Sequence, residues 1–318
     1  VEKQFYTNIS RQLNFAPQGI KIISHLSFDL VLFLAIAFSL HTPLYWGAQL
    51  LIPVFFFRSF ALMHDCVHSS ASSKKWLNDW IGVLAGACCF LPYEPWKRIH
   101  LDHHKWTGNV DRDPSMGLLK RFPHFSQRKI QFLNFCWKNW IPAMATSQHL
   151  VFWTKSYQYV VNSKTRASIA KNIISLALPL GLYCLIPWRE ILPGLILYLL
   201  MVEVINFPHH LQMPMVEGDI SFPVYQQDQL ARSCIYPRWF SRHVLNNFNL
   251  HIEHHLFPRL PWYQLEEARF MIRQLGAKNY GEVLGNQWIR QNRRKPVELV
   301  FAKTLQPLHQ TSAQREVA

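Results

Sequence analysis

Apolar and polar stretches alternate along the chain, and the long apolar ones come in pairs. Residues 22–40 are apolar, and after His41-Thr-Pro43 a second apolar stretch covers 44–63. Each is about 20 residues, or about 30 Å as helix, which matches the hydrocarbon thickness of a bilayer. The short turn between them predicts an antiparallel hairpin. A second pair, 169–187 and 191–207, is separated only by Trp188-Arg-Glu190 and predicts a second hairpin. His25 and Asp29 make the first span imperfect, and Lys171 and Asn172 soften the start of the third. Between the hairpins, 76–92 is apolar but short and broken by glycines, Asn78 and Asp79. That length predicts an interfacial or re-entrant helix. Residues 1–21 read as an interfacial leader and 22–275 as one membrane domain, with a helix expected over 262–275. Residues 276–318, around Arg290, Arg293, Arg294 and Lys295, read as a polar basic tail. The expected fold is all-α: four transmembrane helices in two hairpins, with a helical cap on the cytoplasmic side.

Composition sharpens the membrane reading. Charged residues are 16% of the chain, against roughly 25% in soluble domains, while hydrophobic residues reach 49% and aromatics 14%. The net charge of +14 admits three partners: nucleic acid, an anionic membrane surface or an acidic protein. No nucleic-acid motif is present, and the basic residues flank apolar spans, so the membrane surface is favoured. An acidic electron carrier stays compatible. The two short turns hold a single Arg between them, whereas over 64–168 Lys and Arg outnumber Asp and Glu more than twofold. The positive-inside rule therefore puts the turns outside, and 64–168 with both termini in the cytoplasm. Trp96, Trp106, Trp137, Trp140 and Trp153 suit a region resting on headgroups. Six cysteines without a metal or disulfide spacing predict reduced thiols in a reducing compartment. The first 20 residues lack the apolar core of a cleaved signal.

The candidate chemistry lies in histidines at helical spacing. His64-Asp-Cys-Val-His68 closes the second span with imidazoles at i and i+4. His100-Leu-Asp-His103-His104 and His251-Ile-Glu-His254-His255 repeat an i, i+3, i+4 pattern, which places three imidazoles on one helix face. All three clusters fall on the same expected side of the membrane, so they are free to share one site. Eight neutral imidazoles exceed the needs of one metal and fit two adjacent ones; ligand type alone admits iron, zinc, copper or nickel. At the end of the fourth span, Asn206-Phe-Pro-His209-His210 offers a further ligand. His210 is preferred to His209, with Asn206 bonding through water on the same face. Asp65, Asp102 and Glu253 are candidates to orient imidazole N–H groups.

The order His-Asp-x-x-His, His-x-x-His-His, His-x-x-His-His around two hairpins resembles the membrane fatty acid desaturase family and its relatives, the carotenoid hydroxylases and ketolases. The resemblance covers roughly residues 25–270. The wording of 251–261, His-Ile-Glu-His-His-Leu-Phe-Pro-Arg-Leu-Pro, and of 107–114, Thr-Gly-Asn-Val-Asp-Arg-Asp-Pro, is similar to acyl-chain desaturases. It implies a non-haem di-iron centre held by His64, His68, His100, His103, His104, His251, His254 and His255, with His210 matching an extra ligand on the fourth membrane helix. It also implies O₂ as co-substrate, a fatty acyl substrate carried on lipid, CoA or a carrier protein, and an external electron donor such as ferredoxin or cytochrome b5. Front-end desaturases usually carry Gln where His251 stands and often a fused haem domain with a His-Pro-Gly-Gly motif, absent here, so front-end regiochemistry is not implied. Two other readings compete with desaturation: oxygenation of a carotenoid or alkane at the same centre, and non-enzymatic metal binding or transport. Transporters place their ligands near the bilayer midplane on broken helices, whereas these clusters fall outside the spans.

Overall fold

The computed structural model describes residues 1–162, 165–274 and 280–302, which are predominantly helical. An amphipathic helix α1 (Lys3–Gln12) precedes the first apolar pair, α2 (Gly19–Ser39) and α3 (Tyr45–Val67). Helix α4 (Lys75–Cys88) is the short apolar stretch, and α5 (Tyr93–Trp106) carries the second histidine cluster. Then come α6 (Gly117–Arg121), α7 (Gln127–Lys138), α8 (Ala143–Val161), α9 (Arg166–Leu185) and α10 (Trp188–Asn206). Of these, α2, α3, α9 and α10 are long and apolar enough to cross a membrane, and their bounds lie within a few residues of the expected spans.

Helix α3 is the most buried of the four and packs against α2, α4 and α10. The close approach of α10 depends on Gly194, where a Cβ would lie 2.7 Å from a carbon of Ile52. In α4, a Cβ on Gly82 would run into the Tyr93 ring, so that glycine lets the start of α5 close over α4. Helix α9 packs against α4, α5 and α8. The outer faces of α2 and α9 stay apolar and exposed, with Leu30, Val31, Phe38, Ile173 and Leu185 among them. On a water-soluble chain so large an apolar surface would be a liability, whereas lipid tails accept it.

The polar residues that mar the first span have a structural use. Arg58 on α3 reaches Asp29 on α2 through Nε, and its Nη2 lies 3.1 Å from His25 Nδ1. Its Nη1 donates to the His243 carbonyl and to Asn246 Oδ1. The side chains of Arg58, Asp29, His25 and Asn246 are buried, while His243, which supplies only its carbonyl, is exposed. The guanidinium thus ties the first two spans to the loop after α11 (Arg238–His243), where Asn246 and Asn247 take positive φ, just ahead of the third cluster on α12 (His251–Leu256).

Three expectations are corrected. Residues 1–21 are not merely a surface leader. Ile9 and Leu13 join a core with Leu250, Ile252 and Leu256, and Tyr6 stacks on Phe257 with centroids 5.1 Å apart. The helix expected over 262–275 begins as a 3-10 turn and continues as α13 (Leu265–Gln274), while residue 275 lies outside the described residues. The region 276–318 was read as a tail, yet 280–302 is folded onto the body, and the remainder lies outside the described residues. Strand β1 (Ser233–Ile235) pairs in parallel with β2 (Glu282–Leu284), so the fold is not purely helical. Helices α14 (Gly285–Arg293) and α15 (Val297–Val300) bury Trp288, Ile289, Val297 and Val300. Arg293 is buried and donates to Glu203 Oε1 at 2.7 Å, while Glu203 Oε2 accepts from the N–H groups of Met144 and Ala145. One carboxylate therefore joins α10, the start of α8 and α14. Apolar residues spaced among the basic ones carry this segment inward, which a reading by charge alone misses.

Arg58→Leu is expected to destabilise the protein by about 3–5 kcal/mol, because the buried Asp29 carboxylate loses its guanidinium partner and keeps only His25 Nε2 at 2.8 Å. The double variant Asp29→Asn/Arg58→Leu is expected to recover much of that loss. Thermal unfolding in detergent checks both; an R58L protein as stable as wild type would remove this role.

Candidate metal centre

The three histidine clusters sit on α3, α5 and α12, and the fold brings them together with His210, just beyond α10. Nine imidazoles converge in two groups. His64, His68, His100, His104 and His254 offer ring nitrogens within 4.8 Å of one another, as do His103, His210, His251 and His255. These are the nine histidines named in the sequence, and the helical spacing explains how they sort. Positions i and i+4 lie about 40° apart around a helix, so each such pair shares a group: 64 with 68, 100 with 104, 251 with 255. Neighbouring residues diverge by about 100°, and so His103 and His104 serve different groups, as do His254 and His255.

Distances within the groups suit coordination. His68 and His100 Nε2 are 2.9 Å apart, His100 and His104 Nε2 3.1 Å, and His104 and His254 Nε2 2.9 Å. In the second group His103–His210, His210–His251 and His251–His255 Nε2 separations are 3.2, 2.8 and 3.1 Å. Metal–nitrogen bonds of about 2.0–2.1 Å at right angles place neighbouring nitrogens about 3 Å apart. A network of hydrogen bonds accounts for this less well. A neutral imidazole supplies one N–H, and several of these rings use Nδ1 elsewhere. The donor set, all imidazole with no thiolate, fits borderline divalent metals.

Hydrogen bonds at Nδ1 turn Nε2 inward. His103 Nδ1 lies 2.9 Å from Asp113 Oδ2, His210 Nδ1 3.1 Å from the Leu230 carbonyl and His255 Nδ1 2.9 Å from Gln227 Oε1. The Gln227 amide is itself oriented, because its Nε2 donates to the His104 carbonyl. With an acceptor at Nδ1, each ring holds its proton there and presents a lone pair at Nε2. Burial holds the pKa of His68, His100, His104, His251, His254 and His255 well below the usual histidine value, and neighbouring imidazoles depress it further. His210 is lowered to about 3, again chiefly by burial. The neutral form is the one that ligates.

The other candidates are placed less uniformly. Asp65 is buried, with Oδ1 3.6 Å from His64 Nδ1, beyond hydrogen-bond range. Asp102 is exposed, since it lies about 160° round α5 from the adjoining His100 and His104 positions. Glu253 is fully buried but accepts from Ser233 Oγ and from Tyr280 at 2.6 Å rather than from an imidazole. It braces α12 against β1 and residue 280, and burial raises its pKa while these two donors pull it down. His209 stacks on His251 with centroids 4.2 Å apart and does not join either group. Asp113 and Gln227, by contrast, were not singled out in the sequence. Asp113 lies within the 107–114 wording, ten positions after His103 and beyond the end of α5 at Trp106. Gln227 comes from a 3-10 segment, Val224–Gln229, with no periodic signal.

A cavity of about 240 Å³ opens from the surface and reaches both groups, touching His64 and His100 of one and His103, His210 and His251 of the other. Its walls are largely apolar, with Phe60, Leu119, Met144, Val202 and Phe248 among them. Asn206, half-buried, lines it beside His210.

Asp113→Ala is expected to weaken metal retention about 10- to 100-fold, because His103 loses the acceptor that orients it. Metal content after dialysis against chelator checks this, with Asp113→Asn keeping more of the metal. The lowered histidine pKa values also set a sign for pH. In the unfolded chain these residues take up protons near pH 6.5, whereas the folded cluster resists them, so the unfolded state binds more protons on acidification. Stability and bound metal are therefore expected to be full above about pH 7 and to fall as pH drops below it. Melting temperature and metal content measured from pH 8 to pH 5 test this, and a rise in stability on acidification would contradict it.

Comparison with known proteins agrees with the site. A profile of the fatty acid desaturase family matches residues 40–284. An sn-1 oleoyl-lipid 12-desaturase of Picosynechococcus sp. is 26% identical over 254 residues, covering 74% of this chain and 71% of that protein. An sn-1 acyl-lipid omega-3 desaturase (ferredoxin) of Synechocystis sp. is 25% identical over 295 residues, 84% and 79% of the two chains. An endoplasmic reticulum acyl-lipid omega-3 desaturase (cytochrome b5) of Arabidopsis thaliana is 26% identical over 267 residues, 76% and 66%. With the family match spanning most of the chain and its histidines converging as they do, the protein belongs to the fatty acid desaturase family and is an oxidoreductase.

Proposed function

We propose that the protein introduces a C=C bond into an acyl chain of a membrane lipid, at a di-iron centre held by the nine histidines, with electrons from a separate carrier. The observation that carries this reading is the cavity, largely apolar and open to the surface, which is lined by histidines of both groups. A small polar substrate would gain nothing from such walls, whereas each methylene buried from water contributes about 0.8 kcal/mol. The relatives' names point the same way, being acyl-lipid desaturases supplied by ferredoxin or by cytochrome b5.

The overall change converts –CH₂–CH₂– with O₂, two electrons and two protons into –CH=CH– and two waters. No side-chain base is strong enough to deprotonate an unactivated methylene, so an oxidant derived from O₂ is required, which favours iron over zinc. When bound, the iron pair supplies that oxidation. The protein's part is positional. Asp113, Gln227 and the Leu230 carbonyl hold the rings of one group in register, and Trp96 stacks on His100 at 4.7 Å in the other. Phe60, Phe248 and Val202 keep water from the acyl segment facing the imidazoles. Asn206, which lines the cavity with His210, would hold a water against the second group. The four long helices cross the bilayer as two antiparallel pairs, and the remaining helices cap the centre on the cytoplasmic side, where both termini lie.

Expression in a host with a simple lipid profile, followed by mass spectrometry of its fatty acids, tests the reading. A new double bond is expected, together with two irons per purified chain. His104→Ala or His254→Ala is expected to abolish the product while the protein remains in the membrane. A hydroxyl or keto product, or full activity in either variant, would overturn it.

A further inference from the structure

The cavity is apolar along most of its length, and its opening is not. The exposed residues at its edge include Arg121, Lys129, Ser115 and Ser147, and no Asp or Glu lines any part of it. Arg121 ends α6 and Lys129 lies in the first turn of α7, so two cations from separate helices face one opening. Neither forms an ion pair among the described residues. Lys129 Nζ sits 3.6 Å from the centroid of Phe125, itself a lining residue. Between Pro114 and Arg189 the chain contains no Asp or Glu at all, so no near neighbour in sequence can pair with them. A protein that needed these cations only for solubility would intersperse acids among them.

The surroundings indicate where the opening lies. Phe132 and Phe135 on α7 are exposed, as are Trp140, Ile141 and Leu150 just beyond. Aromatic and aliphatic residues beside basic ones are the signature of a surface resting at the headgroup level. An acyl chain entering from the bilayer would leave its headgroup at Arg121 and Lys129.

We propose that Arg121 and Lys129 form a headgroup subsite for the phosphate of an anionic phosphoglyceride, so that the protein selects its lipid by headgroup charge. The proposal rests on the acyl-lipid reading above and specifies the lipid class. A guanidinium and an ammonium on two sides of an opening match a phosphodiester, with the serine hydroxyls as further donors. A neutral glycosyl diglyceride offers nothing for either cation to pair with.

The test is binding of lipids with identical acyl chains to the iron-loaded protein in neutral maltoside micelles, read by native mass spectrometry. Phosphatidylglycerol is expected to bind about tenfold more tightly than a monogalactosyl diglyceride. The difference is expected to shrink in 1 M salt, where the Debye length is about 3 Å. R121E/K129E is expected to abolish the preference and leave the galactolipid affinity unchanged; both positions are exposed, so folding is preserved. R128E/K138E, which reverses exposed cations that do not line the cavity, is expected to retain the preference. Equal affinity for the two lipids, an equal loss in R128E/K138E, or tighter binding of acyl-CoA than of phosphatidylglycerol would each overturn the subsite. Because the measurement reads binding, absence of a double-bond product bears on the desaturation reading alone.

Discussion

Bringing nine imidazoles together in two groups, with ring nitrogens within 4.8 Å of one another in each, is the constraint to which this fold answers. Seven of the nine residues are buried and His104 and His210 are half-buried, and lone pairs aimed at a common point repel unless something positive lies between them. A metal centre removes that conflict, but only if the scaffold holds the rings to within a fraction of an ångström. The backbone therefore packs tightly where the cluster needs support. Helix α3, which carries His64 and ends just before His68, is the most buried of the four long apolar helices, and α10 approaches it closely over Gly194. The third cluster sits on a helix of only six residues, too short to be stable alone. Its position depends on neighbours: Arg58 through the 243–246 loop on one side, and Ser233 and Tyr280 through Glu253 on the other.

The division of the histidines shows why the sequence pattern is His-x-x-His-His rather than a simple i, i+4 pair. Two groups of imidazoles lying side by side across a helix require a ring on either flank of one face. The i, i+4 pair supplies two nitrogens to one group, and the residue at i+3 supplies one to the other. Helix α5 gives two ligands to the first group and one to the second, and α12 does the reverse. The two groups also differ in support. Asp113 and Gln227 brace the second through Nδ1, whereas His100 in the first rests on the indole of Trp96. A carboxylate behind one imidazole raises its donor strength, so the two groups are electronically unequal.

Much of this was legible in the chain, for identifiable reasons. The spans were readable because about 20 consecutive apolar residues have few soluble uses, and the clusters because imidazole spacing maps directly onto one helix face. The partners that orient the rings were not. Asp65, Asp102 and Glu253 were chosen because they sit next to histidines in sequence, but adjacency on a helix turns a side chain about 100° away. The acceptors used instead, Asp113, Gln227 and the Leu230 carbonyl, lie in irregular chain whose path no periodicity describes. Helix α8 was missed because it is neither apolar enough for a span nor amphipathic enough to stand out, yet it supplies Met144 and Phe152 to the cavity wall. The folded segment 280–302 was hidden by its own charge. Arg293 reads as part of a basic run, and only Glu203, ninety residues away on α10, explains its burial.

That ion pair links the C-terminal segment to the cavity. Phe301 lines the cavity, and its ring lies 5.9 Å from Phe122 and 5.7 Å from Phe207. The segment bearing Phe301 is fastened by Arg293, which also lies 4.1 Å from the Trp137 ring centroid. Removing either partner of a buried pair leaves the other uncompensated, and here the strain would fall on the wall of the cavity as well as on the α8 N-terminus that Glu203 caps. The cavity's shape is thus not a property of the membrane helices alone. It depends on a polar contact made by the stretch of sequence that looks least like part of a membrane protein.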